Sequence, residues 1–560
     1  MVVTPQRLAS EVGAAVLRQG GNAIDAAVAV GYALAVVDPC CGNIGGGGFM
    51  TIHLADGRDR FLNFRETAPA AATPATFLDA TGEPITAASR VGSRAAGVPG
   101  TVMGLDTALG AYGTMSRAVL MAPAIALARD GFVLTRGDTD ILDSRAARFA
   151  ANPVLAGIFL RPNGDRLRPG DRLVQPDLAG TLAAVAVDGP DAFYHGAIPA
   201  AVAALSRRDG GMLTAADFAA YSVTQTDPLR CTYRGAVILS APPPSSGGTA
   251  LCEILAVLQG WDMAGLGWHS AQGVHRMVEA MRQAFIDRNS LLGDPAFVDN
   301  PVERLLSPAY ADAVRAAVID QAGVSPLSLG DLAPREKPET TQYTVADAAG
   351  NAVSVTYTIN GLFGALAMAP GTGFLLNNEM DDFTVKLGTP NMYEMVQGAA
   401  NAIAPGKRPL SSMTPTIVLR DGHVILAGGS PGGPTIITTV LQVIMNRLDY
   451  GMTLQEAVDA PRIHHQWLPD VIFAEPFALS PDTQAALRAM AYTVVERPPW
   501  GAAEMMAVGS WPAGAQAAGA QAERPTADNP ARDSTPAAMR PGLFYGANDD
   551  RRPAGAAVAP

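Results

Sequence analysis

The residues best suited to chemistry are two threonines and an asparagine: Thr340, Thr358 and Asn360. They belong to the stretch 339–360, which alternates like paired β-strands on both sides of the turn sequence Asp-Ala-Ala-Gly at 347–350. A threonine hydroxyl is a weak nucleophile unless a base removes its proton, and no serine-hydrolase or papain-type motif lies nearby. A threonine that becomes the first residue of a chain supplies its own base, because its freed α-amine takes that role.

The turn predicts a hairpin that gathers these side chains at its open end. If Ala346 pairs with Asn351, then Thr340 lies opposite Tyr357, one residue from Thr358. The alternative is a solvated, threonine-rich hairpin without chemistry. The choice between the two interpretations depends on the rest of the chain.

Composition excludes several classes of function. The chain of 560 residues has 48% hydrophobic and 16% charged residues and a net charge of -12, which argues against nucleic-acid binding and against a polybasic membrane patch. No apolar run of about 18 residues is present, so no transmembrane helix is expected. The first residues lack the basic and apolar regions of a signal peptide, so we expect either a cytoplasmic protein or a start downstream of the true one.

The sequence predicts neither a metal site nor a disulfide framework. Cys40 and Cys41 are adjacent, Cys231 and Cys252 lie far from them, and no Cys-x-x-Cys or His-Glu-x-x-His spacing is present. The four glycines at 45–48 lack the spacing of a phosphate loop and indicate close backbone approach inside a core.

Two further segments carry candidate site residues with charged side chains. A predicted hairpin of strands 49–54 and 61–64 ends at Arg65, which is either a surface charge or a fork for a carboxylate. A predicted strand that begins at Gly373 runs into three acids, at 379, 381 and 382, and such crowding indicates a cation or ammonium site.

Glycines also precede one of the predicted helices. The segment 428–433 leads into a helix over 436–448, and its backbone N–H groups would suit an oxyanion hole or simply a tight turn. Residues 98–329 are predicted to be mainly helical, and the Pro-Pro-Pro-Ser-Ser-Gly-Gly run at 242–248 precedes one of those helices. Residues 510–541 are rich in Ala, Pro and Gly and are predicted to be a disordered insertion.

Taken together, these residues resemble the γ-glutamyltranspeptidases (glutathione hydrolases) of the bacterial type. The resemblance covers nearly the whole chain apart from 510–541, and the order of its motifs makes it specific. The motifs are Gly-Gly-Asn-Ala-Ile-Asp-Ala-Ala (20–27), Gly-Asn-Ile-Gly-Gly-Gly-Gly-Phe-Met (42–50), Phe-Arg-Glu (64–66), Pro-Pro-Pro-Ser-Ser-Gly-Gly (242–248), Thr-Thr (340–341), 377–383, 409–415 and Ser-Pro-Gly-Gly (430–433).

The resemblance implies an α+β fold, the four-layer αββα sandwich of the N-terminal-nucleophile hydrolases. It also implies a proenzyme that cuts itself between Glu339 and Thr340, giving a large chain of 1–339 and a small chain of 340–560. Thr340 would be the nucleophile and Thr358 its hydrogen-bonding partner. The oxyanion hole would consist of two glycines, Gly432 and Gly433.

The same resemblance implies how a γ-glutamyl group is held. Arg65, Ser411 and Ser412 match the clamp for the α-carboxylate. Asp382, Glu379 and Asn360 match the set that binds the α-ammonium. The segment from about 386 to 407, with Tyr393, resembles the lid loop of many bacterial members.

Partners and compartment follow from the resemblance as well. The donors would be glutathione and other γ-glutamyl compounds, and the acceptors would be water, amino acids or dipeptides. No metal or organic cofactor is expected. The two chains from one precursor would form a heterodimer, and family members are periplasmic or secreted.

Two alternatives remain open at this point. A β-lactam (glutaryl-cephalosporin) acylase of the same architecture would bind a glutaryl group, which has no α-amine, so the acids at 379 and 382 would face no cation. An uncleaved relative without enzymatic activity would keep the motifs but show no processing.

Overall fold

The computed structural model describes residues 1–325, 340–509 and 542–560. The predicted cleavage residue Glu339 and the predicted insertion at 510–541 lie outside the described residues. The helices are α1 Arg7–Arg18, α2 Ala23–Val37, α3 Thr101–Tyr112, α4 Arg117–Asp130, α5 Arg136–Asp143, α6 Ala146–Ala150, α7 Pro153–Phe159, α8 Pro176–Asp188, α9 Pro190–Tyr194, α10 Ala197–Arg208, α11 Ala215–Ala219, α12 Gly247–Leu258, α13 Met263–Leu266, α14 Ala271–Leu291, α15 Val302–Leu305, α16 Pro308–Ala317, α17 Thr435–Leu448, α18 Leu454–Asp459 and α19 Pro481–Ala489.

The strands form two large antiparallel sheets and two small ones. They are β1 Val2–Thr4, β2 Gly47–His53, β3 Asp59–Phe64, β4 Phe132–Val133, β5 Arg172–Leu173, β6 Thr224–Thr226, β7 Leu229–Tyr233, β8 Ala236–Ser240, β9 Thr341–Ala346, β10 Ala352–Thr358, β11 Thr416–Arg420, β12 His423–Gly429, β13 Ile463–His464, β14 Ile472–Ala474, β15 Val494–Glu496, β16 Glu504–Val508, β17 Phe544–Ala547 and β18 Ala556–Val558. One large sheet has the order β18-β1-β9-β10-β2-β3-β6 and the other β17-β16-β12-β11-β8-β7.

The two large sheets pack face to face between two layers of helices. Aliphatic side chains of both sheets, among them Val3 and Ile417, form the core between them. On the outer face of the first sheet lies α2, in which every residue is buried, and on the outer face of the second lie α12, α14 and α17. The predicted αββα sandwich is therefore confirmed.

Both large sheets contain strands from before and from after position 340, paired directly with each other. In the first sheet β1 lies between β18 and β9, and β10 pairs with β2. In the second, β11 pairs with β8. Four ladders thus join strands from the two sides of the predicted cut.

The hairpin of β9 and β10 is present, but its predicted register was wrong by one residue. Ala346 pairs with Ala352, and Thr341 pairs with Tyr357. The cause is the turn: the Asp347 carboxylate accepts hydrogen bonds from the N–H groups of Ala349 and Asn351, so five residues, not four, connect the strands. Continuing the ladder by one step places Thr340 directly opposite Thr358.

The glycines at 45–48 do permit close backbone approach, as predicted. A Cβ atom on Gly46 would lie 1.8 Å from the backbone oxygen of Thr358. The glycines therefore let the start of β2 pack against the end of β10, where the candidate nucleophile pair lies.

Two other expectations were wrong. The segment that begins at Gly373 contains no strand; its backbone bonds instead to loop residues, with Leu376 N–H donating to the oxygen of Ala367 and Asn377 N–H to that of Gly45. Cys231 and Cys252 form a disulfide between β7 and α12, and Cys40 and Cys41 are joined as well. The fold brings Cys231 and Cys252 together across 21 positions of sequence, which spacing alone did not indicate.

The longest described helix is α14 at 21 residues, and it carries several charged side chains. Neither it nor any other described helix combines the length and apolarity that a membrane crossing needs.

Candidate active site

The two threonines face each other at the open end of the β9–β10 hairpin. The Thr340 hydroxyl donates to Thr358 Oγ1 across 3.3 Å. Thr358 Oγ1 also accepts from the backbone N–H of Asn360 at 2.8 Å, which holds its oxygen in place. Thr340 is only 5% exposed, so its hydroxyl lies in a site largely shielded from water.

A small cavity of about 30 Å³ opens beside this pair. Most of the predicted site residues line it, whereas Glu379 and Gly432 do not. The lining residues include Arg65, Arg288, Thr340, Thr358, Asn360, Asp382, Asn391, Tyr393, Gln397, Ser411, Ser412 and Gly433.

Gly432 and Gly433 lie just before α17, both with positive φ, of 138° and 56° respectively. In the described part of the chain neither of their N–H groups donates a hydrogen bond. Unpaired N–H groups ahead of a helix are suited to stabilise a developing negative charge, and Gly433 lines the same cavity as Thr340.

Arg65 is buried, with 1% of its surface exposed, and both ends of its guanidinium are paired with carboxylates. Nη1 lies 2.8 Å from Glu379 Oε2 and 3.5 Å from Glu66 Oε2, while Nη2 contacts Asp382. Asp382 lies on the cavity wall, but Glu379 lies behind Arg65, where it contacts the guanidinium and not the cavity. The structure thus brings the predicted carboxylate clamp and the predicted ammonium-binding acids into direct contact.

Burial changes the proton affinity of this cluster. It raises the pKa of Glu66 to about 7, although Arg65 beside it acts in the opposite direction. It also raises the pKa of Glu379 well above its usual value. Burial lowers the pKa of Arg65, but the surrounding carboxylates outweigh that effect and raise it above its usual value. The guanidinium therefore stays charged, while Glu66 and Glu379 hold protons more readily than ordinary glutamates.

The Pro-Pro-Pro-Ser-Ser-Gly-Gly loop positions the two serines. Ser411 N–H donates to the oxygen of Pro244 at 2.9 Å, and Ser246 donates to the oxygen of Ser411 from both its N–H and its hydroxyl. The sequence indicated only a helix start for this loop. In the structure this loop also holds the backbone of Ser411, next to Ser412, in place.

Part of the segment predicted to be a lid lines the cavity. Tyr393 hydroxyl donates to both the backbone and the side-chain oxygen of Asn360, at 3.0 and 2.5 Å. One residue earlier, Met392 N–H donates to the Asp381 carboxylate at 2.8 Å, and Ser89 hydroxyl donates to the same group. Asp381, predicted only as part of an acidic cluster, therefore anchors the loop.

Sequence reasoning missed Arg288, which lies on α14 and lines the cavity. The signal in the sequence is faint: Met281, Ala284 and Arg288 are spaced as one helix face, on which an arginine is unusual. Only the structure shows that Arg288 is buried there and needs polar partners.

Comparison with known proteins identifies the family. The model of the gamma-glutamyltranspeptidase family matches residues 9–528. The chain belongs to the γ-glutamyltranspeptidase family.

Similar proteins are named either glutathione hydrolase or acylase. The chain is 51% identical over 559 residues to a glutathione hydrolase proenzyme of Pseudomonas sp. (strain A14), covering 100% of this chain and 94% of that protein. It is 42% identical over 504 residues to an acylase ACY 1 proenzyme of Pseudomonas sp. (strain SE83), covering 89% and 88%. The crystal structure of a cephalosporin acylase from Bacillus halodurans matches with a TM-score of 0.80 and 27% identity, covering 90% of this chain and 91% of that one.

Proposed function

We propose that this γ-glutamyltranspeptidase cleaves the γ-glutamyl amide of glutathione and related compounds, with Thr340 as nucleophile. The observation that carries the proposal is the contact of Thr340 with Thr358 beside a cavity that also exposes Asp382 and two arginines. An anion-binding and a cation-binding group on one wall match the α-carboxylate and α-ammonium of a γ-glutamyl group.

Maturation is the first step of the proposal. The Thr340 hydroxyl attacks the carbonyl of Glu339, the peptide bond shifts to an ester, and water hydrolyses that ester. The products are chains 1–339 and 340–560, and the α-amine of Thr340 becomes free. Proenzyme names among the relatives support this step.

Catalysis then uses the freed amine. It takes the proton of the Thr340 hydroxyl as the oxygen attacks the γ-carbonyl, and the N–H groups of Gly432 and Gly433 stabilise the resulting oxyanion. The amine returns the proton to the leaving nitrogen, and the C–N bond breaks. Water or the amine of an amino acid or dipeptide then attacks the acyl ester and releases Thr340.

The cavity wall supplies recognition. Ser411 and Ser412, with the positive charge of the arginines, bind the α-carboxylate, and Asp382 and Asn360 bind the α-ammonium. Glu379 acts through Arg65, because it lies behind that side chain. Tyr393 closes the cavity over the bound group and limits access of bulk water.

Acylase activity is the competing function, since the chain is similar both to proteins named glutathione hydrolase and to proteins named acylase. Asp382 argues against it. This carboxylate contacts Arg65 through Oδ2 and also lies on the cavity wall, where a γ-glutamyl group would bring it an ammonium and a glutaryl group would not.

Intact-mass analysis of the purified protein, with and without glutathione, tests the proposal. Two fragments that break before Thr340, together with release of cysteinylglycine, are expected. Two fragments that hydrolyse glutaryl amides but not glutathione would favour the acylase. One uncut and inert chain would overturn the proposal.

We also propose that the protein acts in a periplasmic or extracellular compartment, as the family resemblance implies. The Cys231–Cys252 disulfide supports this location, because structural disulfides persist in oxidising compartments. Fractionation of the cells that produce the protein tests it, and recovery of all activity with cytosolic markers would contradict it.

A further inference from the structure

The Cys231–Cys252 disulfide lies at the edge of the second large sheet. Cys231 is on β7, the last described strand of that sheet, and Cys252 is on α12. The Cys231 side chain is partly exposed, whereas Cys252 is only 1% exposed. The bond therefore joins an accessible residue to a buried one.

An open groove of about 560 Å³ leads to this bond. Both cysteines line it, together with Ala256, which lies one turn after Cys252 on α12. Within the described part of the chain, the groove shares no lining residue with the cavity beside Thr340. A small molecule can therefore reach the disulfide without entering that cavity.

No carboxylate of the described residues lines the groove. Its charged side chains are two arginines, and each is paired with an acid outside the lining. Arg230 Nη1 lies 3.0 Å from Asp59 Oδ2, and Arg315 contacts Asp312 and donates to the backbone oxygen of Ala256 at 2.8 Å. An incoming thiolate that also carries a carboxylate thus meets no like charge on the groove wall.

The Cys40–Cys41 disulfide of the same chain is an internal comparison. Its residues are 2% and 0% exposed, and their backbone oxygens accept hydrogen bonds from the N–H groups of Phe363 and Ile359. Thiol–disulfide exchange requires that a thiolate reach one of the two sulfur atoms. Burial therefore protects Cys40–Cys41, while the groove leaves Cys231–Cys252 open to attack.

We propose that Cys231 is a site of reversible covalent modification by small thiols of the cysteinyl-peptide class. The thiolate attacks Cys231 Sγ and forms a new S–S bond, the Cys231–Cys252 bond breaks, and Cys252 Sγ takes the electron pair and then a proton from water. One thiol is consumed and one is formed, so the step needs no oxidant or reductant. Attack by Cys252 on the mixed disulfide reverses it.

The proposed reaction of the active site supplies thiols of this class. Glutathione, its donor, and cysteinylglycine, the product of glutathione cleavage, both carry a thiol and a carboxylate. The identity of the natural thiol rests on the proposed function, whereas the accessibility of Cys231 rests on the groove alone.

The folded wild-type protein with cysteinylglycine provides the first test, at about pH 8, where part of the thiol is ionised. Cysteinylglycine has no γ-glutamyl bond, so hydrolysis does not consume it. Samples are quenched with N-ethylmaleimide, digested without reduction and mapped by mass spectrometry. We expect cysteinylglycine on Cys231, maleimide on Cys252, and opening of this bond at least about tenfold faster than that of Cys40–Cys41.

Two matched variants test the accessibility of each cysteine separately. Cys252→Ser leaves Cys231 as a free thiol, and Cys231→Ser leaves the buried Cys252. The folded Cys252→Ser protein should react with dithiobis(nitrobenzoate) at least about tenfold faster than Cys231→Ser, and both should react completely once unfolded. If either variant fails to fold, the wild-type measurement still decides.

Equal opening rates for the two disulfides, an adduct mainly on Cys252, or no opening before the protein unfolds would overturn the proposal. None of these readouts uses γ-glutamyl hydrolysis. A protein that forms the Cys231 adduct but does not cleave glutathione would contradict the proposed function alone, and an active protein without the adduct would contradict the modification site alone.

Discussion

Thr340 and Thr358 lie opposite each other across one hairpin, with 3.3 Å between their hydroxyl oxygens. Thr358 is held in turn by the N–H of Asn360. The Thr358 hydroxyl is thus held by the backbone two residues further along the same segment, so the pairing of the two hydroxyls is set locally.

Replacing Thr340 by Ala should leave a single uncut chain without activity, because the variant has no hydroxyl to attack Glu339. Denaturing electrophoresis and intact mass measure the cut, and release of 4-nitroaniline measures activity. Thr340→Ser is the matched control, since it keeps a hydroxyl and should still be cut. Two fragments from Thr340→Ala would refute the nucleophile assignment.

Replacing Asp382 by Asn should weaken γ-glutamyl substrates by about 2 kcal/mol or more, because the ammonium loses its countercharge. Hydrolysis of glutaryl amides should change much less, since those substrates have no ammonium. The ratio of the two kcat/KM values is the measurement.

Asp381→Asn is the control for that ratio. Asp381 anchors the lid segment through Met392 and Ser89 and lies one residue from Asp382. Its substitution should affect both substrates alike. Equal losses on both substrates in Asp382→Asn would count against an ammonium site.

Glu66 should make stability depend on pH. Its pKa is about 7 in the fold and 4.5 in its ordinary state, so the folded state binds more protons than the unfolded state between these values. Its contribution is present below about pH 4.5 and is lost as pH rises through 7, at a slope of at most about 1.4 kcal/mol per pH unit.

Glu66→Gln cannot ionise and should lose less stability than the wild type between pH 5 and about 7.5, as measured by urea unfolding. The exposed Glu83, which pairs with Lys386 at the surface, offers a control in Glu83→Gln, whose profile should follow the wild type. Parallel profiles for Glu66→Gln and wild type would show that Glu66 titrates normally.

Replacing Cys231 by Ser should lower the free energy of unfolding by about 2 to 4 kcal/mol, because the disulfide closes a loop of 21 positions. Activity should persist, since neither cysteine lines the cavity. Reduction of the wild type, which also opens the Cys40–Cys41 bond, should produce at least this loss. An unchanged unfolding midpoint in both experiments would mean that the two thiols are not joined in solution.

Most of the fold could be predicted from the sequence, because the local apolar patterns and the order of the motifs indicated the same architecture. Helices α4, α8, α10 and α14 lie within the range 98–329 that was predicted to be mainly helical, and α17 begins one residue before the helix predicted over 436–448. The hairpin register was off by one because a side chain, Asp347, sets the length of the turn, and its hydrogen bonds cannot be read from alternation.

Side-chain partnerships within the site were less predictable. Motif matching named Arg65, Glu379 and Asp382 but not the contacts of Arg65 with the two acids, because the segments that carry them meet only in the folded chain. Arg288 escaped notice since its helix reads as ordinary core. Burial, not spacing, is what distinguishes a charged residue on such a face, and burial requires the tertiary structure.

The pairing of strands from the two sides of position 340 has a consequence for the processed protein. Separation of the two chains would break four ladders in two sheets at once, so the pair behaves as one folded body with a nick. Mixed populations of two variants, each already cut, would therefore keep their original partners. A large or small chain with an inactivating substitution would then inactivate only the molecule from which it was cut, and other molecules would keep their activity.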